Sequence, residues 1–127
     1  MPAPPSIPRF EREVMEHVWE QGPTSVRAVM EAVNDDPSRS PRAYTTVLTV
    51  MQRLEAKGLL RRRRRKGGRF DVYVPRVDRE TYLRARADAE VDNLVATYGE
   101  LALIEFTRRT AALDPERREQ LRRLAEG

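Results

Sequence analysis

The chain has no cysteine and one histidine, His17, among its 127 residues. Disulfides, thiolate metal sites and a cysteine nucleophile are therefore excluded. A multi-histidine metal centre is excluded with them. Aromatic residues are scarce, and Trp19 is the single tryptophan. No apolar run approaches the roughly 20 residues that cross a bilayer, so no direct membrane association is expected. The opening shows no secretory leader pattern, which makes the cytoplasm the expected location. Glycine-rich phosphate loops of the dinucleotide or nucleoside triphosphate type are also missing. These absences make an enzyme the least supported class, with no catalytic residue, cofactor or metal expected. The acidic pair Asp35-Asp36 lies among turn formers and reads as a loop solubiliser.

What the chain has in quantity is charge. Lys and Arg number 24 against 20 Asp and Glu, a net charge of +4, with a pI near 9.9. The charge is uneven. Residues 1–76 carry 15 basic and 9 acidic side chains, a net +6, and residues 77–127 carry 9 and 11, a net −2. A basic first part joined to a near-neutral second part suggests polyanion contact first and self-association second. The length suits one compact domain with a short appendage, and a small domain of this kind often buries its spare apolar surface on a partner.

Periodicity supplies the elements. Pro2, Pro4, Pro5 and Pro8 make residues 1–8 an extended, mobile arm. Phe10, Val14 and Val18 recur every four residues and predict a first helix over 9–21, closed by Gly22-Pro23, with Trp19 as a core anchor and no role for His17. Thr24 or Ser25 caps a second helix carrying Val26, Val29, Met30 and Val33. Residues 34–40 are loop formers. A third helix is predicted from Ser40-Pro41, as cap and first residue, to Gly58. The run Leu59 to Arg65 and the alternating run Arg69 to Pro75 flank a glycine pair, Gly67-Gly68, and predict a hairpin. Phe70, Val72 and Val74 fall on one face of the second run. The fold class is therefore mainly α with a small β-hairpin, a winged helix-turn-helix domain over 9–76.

Residues 77–127 read as a helical dimerisation region. Asp78 caps a long helix to about Tyr98, with a stripe of Leu83, Ala87, Val91, Leu94, Val95 and Tyr98. A short helix over 101–110 carries Leu101, Leu103, Ile104 and Phe106. Asp114-Pro115 opens the last helix, with Leu121 and Leu124 on one side. These helices have little core of their own, and a second copy is the expected cover. Leu83, Val91, Leu94, Val95, Tyr98, Leu101, Ile104, Leu121 and Leu124 are the candidate dimer residues.

The third helix has an inner face of Val47, Val50, Met51 and Leu54. Thr45, Thr46, Thr49, Gln52 and Arg53 then face outward. A major groove admits one helix, and its N-terminal residues approach the base edges. Threonine suits that place, since its hydroxyl donates or accepts and its methyl touches thymine. Threonine is also a mediocre helix former, so stability does not explain three on one face. Arg42 and Tyr44 at the helix start reach phosphates or bases. Residues 61–66 are six consecutive cations, with Arg69 beyond the glycines. Such a run is self-repulsive unless a polyanion lies beside it. Arg62, Arg63, Arg64, Lys66 and Arg69 are the candidate backbone contacts of a wing.

The segment AYTTVLTVMQRLEAKGLL, residues 43–60, resembles the recognition helix of the penicillinase repressor family (BlaI/MecI/CopY type). FEREVMEHVW resembles that family's first helix, and the helical tail its dimerisation region. The resemblance implies a homodimer on an inverted-repeat operator in double-stranded DNA, blocking transcription. It places Thr45, Thr46, Thr49 and Arg53 at the DNA. It also implies a membrane sensor metalloprotease that cuts some members between Asn and Phe in the dimerisation helices. The matching pair here is Glu105-Phe106, with Glu in place of Asn. The cysteine cluster of the copper-responsive branch is absent. Two other classes stand beside the repressor: a winged helix that holds acidic protein partners, and a regulator that senses a small ligand, for which the sequence shows no pocket chemistry.

Overall fold

A computed structural model describes residues 3–64, 67 and 71–127. The element order is α1 (Arg9–Gln21), α2 (Val26–Val33), α3 (Tyr44–Ala56), β1 (Leu60–Arg64), β2 (Asp71–Pro75), α4 (Arg79–Tyr98), α5 (Glu100–Ala111) and α6 (Pro115–Glu126). The chain divides into two compact units, residues 1–86 and 87–127. This division falls inside α4, ten residues beyond the expected end of the first domain at residue 76. The reason is that the first two turns of α4 pack on the N-terminal core, through buried Tyr82 and partly buried Leu83. Leu83, one of the expected dimer residues, is partly buried against that core.

In the first unit, α1 buries Val14, Met15 and Val18, α2 buries Val26, Val29 and Val33, and α3 buries Val47, Val50, Met51 and Leu54. Leu59, Leu60, Tyr73 and Tyr82 complete one cluster, with Phe10 and Trp19 packed against it. Trp19 is the anchor its sequence position suggests. Its Nε1 donates to the Val77 carbonyl at 2.9 Å, and its ring lies 5.6 Å from that of Tyr82. Glu11 is the one acidic side chain buried in this core among the described residues, and Lys57 pairs with it at 2.8 Å, tying α1 to α3. Without that partner, an ionised carboxylate so placed carries a large desolvation cost.

Caps follow the sequence in most places. Ser25 Oγ accepts the Ala28 amide at 3.1 Å, Asp78 Oδ1 accepts that of Thr81 at 2.7 Å, and Asp114 Oδ1 that of Arg117 at 2.9 Å. The start of α3 differs. Ala43, without a side-chain cap, precedes its first residue Tyr44, and Ser40-Pro41 lie outside the helix. The loop holds itself instead. Asn34 accepts the Arg42 amide at 2.7 Å and donates to the Arg42 carbonyl at 3.0 Å, which fixes residue 42 outside the helix. Arg39 spans back to α1 through both carboxylate oxygens of Glu13. At its other end α3 closes as expected. Gly58 has φ +83°, its amide bonds Glu55 O, and the Leu59 amide bonds Leu54 O at 2.9 Å, the paired bonds of a Schellman turn.

The hairpin pairs antiparallel, Leu60 opposite Pro75 and Arg62 opposite Tyr73. Thr24 adds a third, one-residue strand by exchanging bonds with Tyr73 at 3.0 and 2.7 Å. This seats the hairpin against the start of α2. Tyr73 is the buried position of β2, while Val72 and Val74 are only half-buried. Phe70 lies outside the described residues. In the arm, Pro5 O accepts from Tyr82 Oη at 2.6 Å, Pro4 O accepts from Arg86 at 2.9 Å, and Ile7 packs on the core.

Candidate nucleic-acid interface

The periodicity of α3 decides what it offers. With Val47, Val50, Met51 and Leu54 turned inward, Thr45, Thr46, Thr49, Gln52 and Arg53 stand on the exposed face. Thr49 donates its hydroxyl to the Thr45 carbonyl at 2.9 Å, which leaves its methyl and the acceptor lone pairs of its oxygen for a ligand. The hydroxyls of Thr45 and Thr46 have no partner among the described residues. Tyr44 is 43% exposed at the first turn. Just before the helix, the Arg42 guanidinium lies over the Phe10 ring, 4.3 Å from its centroid. That stacking positions the charge beside the helix start without neutralising it.

The hairpin supplies the positive charge. Arg61 to Arg64 are all exposed. Their register puts Arg61 and Arg63 on the face of Val74 and Val72, and Arg62 and Arg64 on that of Tyr73 and Asp71. Arg62 lies 3.7 Å from Asp71, and its amide donates to Glu55 at 3.2 Å. Lys66 and Arg69, both expected in the wing, lie outside the described residues.

Between these two parts is a feature with no signal in the sequence. An open cleft of about 450 Å³ lies between the start of α2, the outer flank of α3 and the hairpin. Its walls include Arg27, Tyr44, Leu48, Arg62, Asp71 and Tyr73. Arg27 is exposed on α2. Tyr73 is 2% exposed, and burial pushes its hydroxyl above the ordinary range, so it stays protonated. Strand alternation put Tyr73 opposite the valines. It did not show that this was the inward side.

The second unit leaves its apolar side chains uncovered. Ala102 is its one buried residue among those described. Tyr98, Leu101 and Leu124 are each at least 60% exposed, and Val91, Leu94, Leu103 and Ile104 are also exposed. Val95 and Leu121 are half-buried. Leu94, Tyr98, Leu101, Glu105 and Phe106 line a shallow groove of about 420 Å³.

The penicillinase repressor family profile matches residues 7–127. The chain belongs to that family. It is 48% identical over 52 residues to the transcriptional regulator BlaI of Mycobacterium tuberculosis, which is 40% of this chain and 36% of that protein. It is 30% identical over 83 residues to the penicillinase repressor of Bacillus licheniformis, 65% of this chain and 61% of that one. The matched stretch is thus about a third of the first relative's length. Among solved structures, the monomeric form of Bacillus licheniformis BlaI in complex with the blaP half-operator matches with a TM-score of 0.50 and 30% identity, over 65% of this chain and 94% of that one. Reduced AbfR bound to DNA matches with a TM-score of 0.50 over 84% of this chain and 75% of that one, at 16% identity, a likeness of fold. The penicillinase repressors are transcriptional regulators rather than enzymes. Among the described residues no helix is long and apolar enough to cross a membrane. In this family member the Glu105–Phe106 bond lies in the middle of α5, with Glu105 exposed near Arg108 at 3.6 Å and Phe106 half-buried.

Proposed function

We propose that the protein is a DNA-binding transcriptional repressor that acts in the cytoplasm as a homodimer on an inverted-repeat operator. The observation that carries this reading is the outward threonine face of α3 standing beside the exposed arginines of β1. Threonine hydroxyls and methyls read base edges, and the arginines supply phosphate contacts that are blind to sequence. Membership of the penicillinase repressor family, and the likeness to a relative solved on its half-operator, support the same reading. The uncovered leucines of α4, α5 and α6 support self-association, because a dimer brings two recognition helices to two half-sites.

Footprinting of the purified protein on fragments of its own genome tests the proposal. A protected site with roughly twofold symmetry is the expected result. Uniform, weak binding to every duplex would refute it and favour a winged helix that holds acidic protein partners. The release route implied by the family resemblance is a cut between Glu105 and Phe106 by a membrane sensor metalloprotease. That bond is inside α5, so the cut requires local unwinding of the helix.

A further inference from the structure

We propose that the cleft between α2, α3 and the hairpin binds a phosphate group, held by Arg27, Arg62 and the Tyr73 hydroxyl at the start of α2. For the DNA source of that phosphate, the inference rests on the function proposed above. The cleft is large enough for a phosphate and part of a sugar. Three features converge on it. The first amides of α2, at Val26 and Arg27, lie before any intrahelical acceptor, so they and the helix dipole favour an anion. Arg27 and Arg62 bring two positive charges, of which Asp71 offsets one.

The third feature is Tyr73. The residue is 2% exposed and lines the cleft, yet its hydroxyl makes no hydrogen bond among the described residues. No fully enclosed polar side-chain atom is left without a partner among those residues, so this hydroxyl is not sealed in the core. A phenol so held is a donor aimed at an acceptor outside the fold. Tyr44 adds a second hydroxyl on the α3 side, and Leu48 gives an apolar flank for a sugar ring.

The test uses amide NMR of the full chain titrated with inorganic phosphate, against chloride at equal ionic strength. Saturable shifts at Val26, Arg27 and Tyr73 with phosphate alone are expected. Tyr73→Phe keeps the buried ring, so its melting temperature should hold while its phosphate affinity falls about tenfold, the loss of one charge-assisted bond. Arg27→Ala should weaken phosphate binding as well, and its side chain is outside the core. Equal shifts with chloride, or unchanged affinity in both variants, would overturn the proposal. Repeating the titration with a bound duplex separates two sources. Abolished shifts mean that a DNA phosphate fills the cleft, and persistent shifts mean that it serves a free phosphate ester. A chain that binds phosphate here but protects no operator would refute the repressor reading alone.

Discussion

At the scale of single residues, the proposed interface would separate choice from grip. Thr46 has a free hydroxyl and a methyl on the exposed face of α3, so Thr46→Ala should weaken operator binding about five- to a hundredfold. Binding to an unrelated duplex should barely change, and competition titrations of the two DNAs measure the difference. Arg63 belongs to the wing face away from Tyr73, and Arg64 to the other. Replacing both with Ala should weaken specific and non-specific binding alike. The slope of log affinity against log salt should flatten by about 2 if both contact phosphates. Equal losses on both DNAs for all these changes would contradict the division. The threonine face was legible because helical periodicity leaves only one face for Val47, Val50, Met51 and Leu54. Tyr73 was not legible as a site residue, because its free hydroxyl depends on what α2 and α3 place around it.

At the scale of elements, local chemistry set the ends where a single residue controls them. Gly58 is such a case, since its φ of +83° is costly for a residue with a Cβ. Open space surrounds it, so Gly58→Ala should cost about 1–2 kcal/mol through the backbone alone. Thermal melting should fall by several degrees, with the operator footprint unchanged. The start of α3 was less legible. Ser40-Pro41 has the pattern of a cap, but Asn34 captures residue 42 from eight positions away, and a local pattern does not show such a bond. The same loop is pinned by Arg39 on Glu13. The hydrogen bond from Arg39 holds the Glu13 carboxyl below its ordinary 4.5, against the opposing effect of burial. A carboxylate with a lowered folded value adds stability above its unfolded value and loses it as pH falls through the folded one. Stability should therefore drop as pH falls below the ordinary 4.5 and through the lowered folded value. Glu13→Gln should flatten part of that drop in urea titrations run across the range. Asp78, held low by the Thr81 amide, should keep its own share in the variant.

At the scale of the molecule, the two units differ in how they are stabilised. The first has a closed core that joins α1, α2, α3, the hairpin and the first turns of α4. The second buries almost nothing by itself among the described residues, although Asp114 caps α6. Helices of this length are marginal in water without packing, so their order calls for cover. A second copy of the same helices fits, because one apolar face can be self-complementary about a twofold axis. Leu101 is 65% exposed and borders the groove of Leu94 and Tyr98. In a symmetric dimer each replacement counts twice, and a buried leucine contributes about 1.5–3 kcal/mol. Leu101→Asp should thus raise the dimer dissociation constant by about a hundredfold or more. Sedimentation equilibrium measures that constant directly. The first unit does not depend on Leu101, so the variant's amide spectrum there should match the parent. Its affinity for a half-site should be kept, while affinity for the full operator should fall towards that of one half. A variant that stays dimeric and binds the full operator like the parent would mean that another surface joins the protomers.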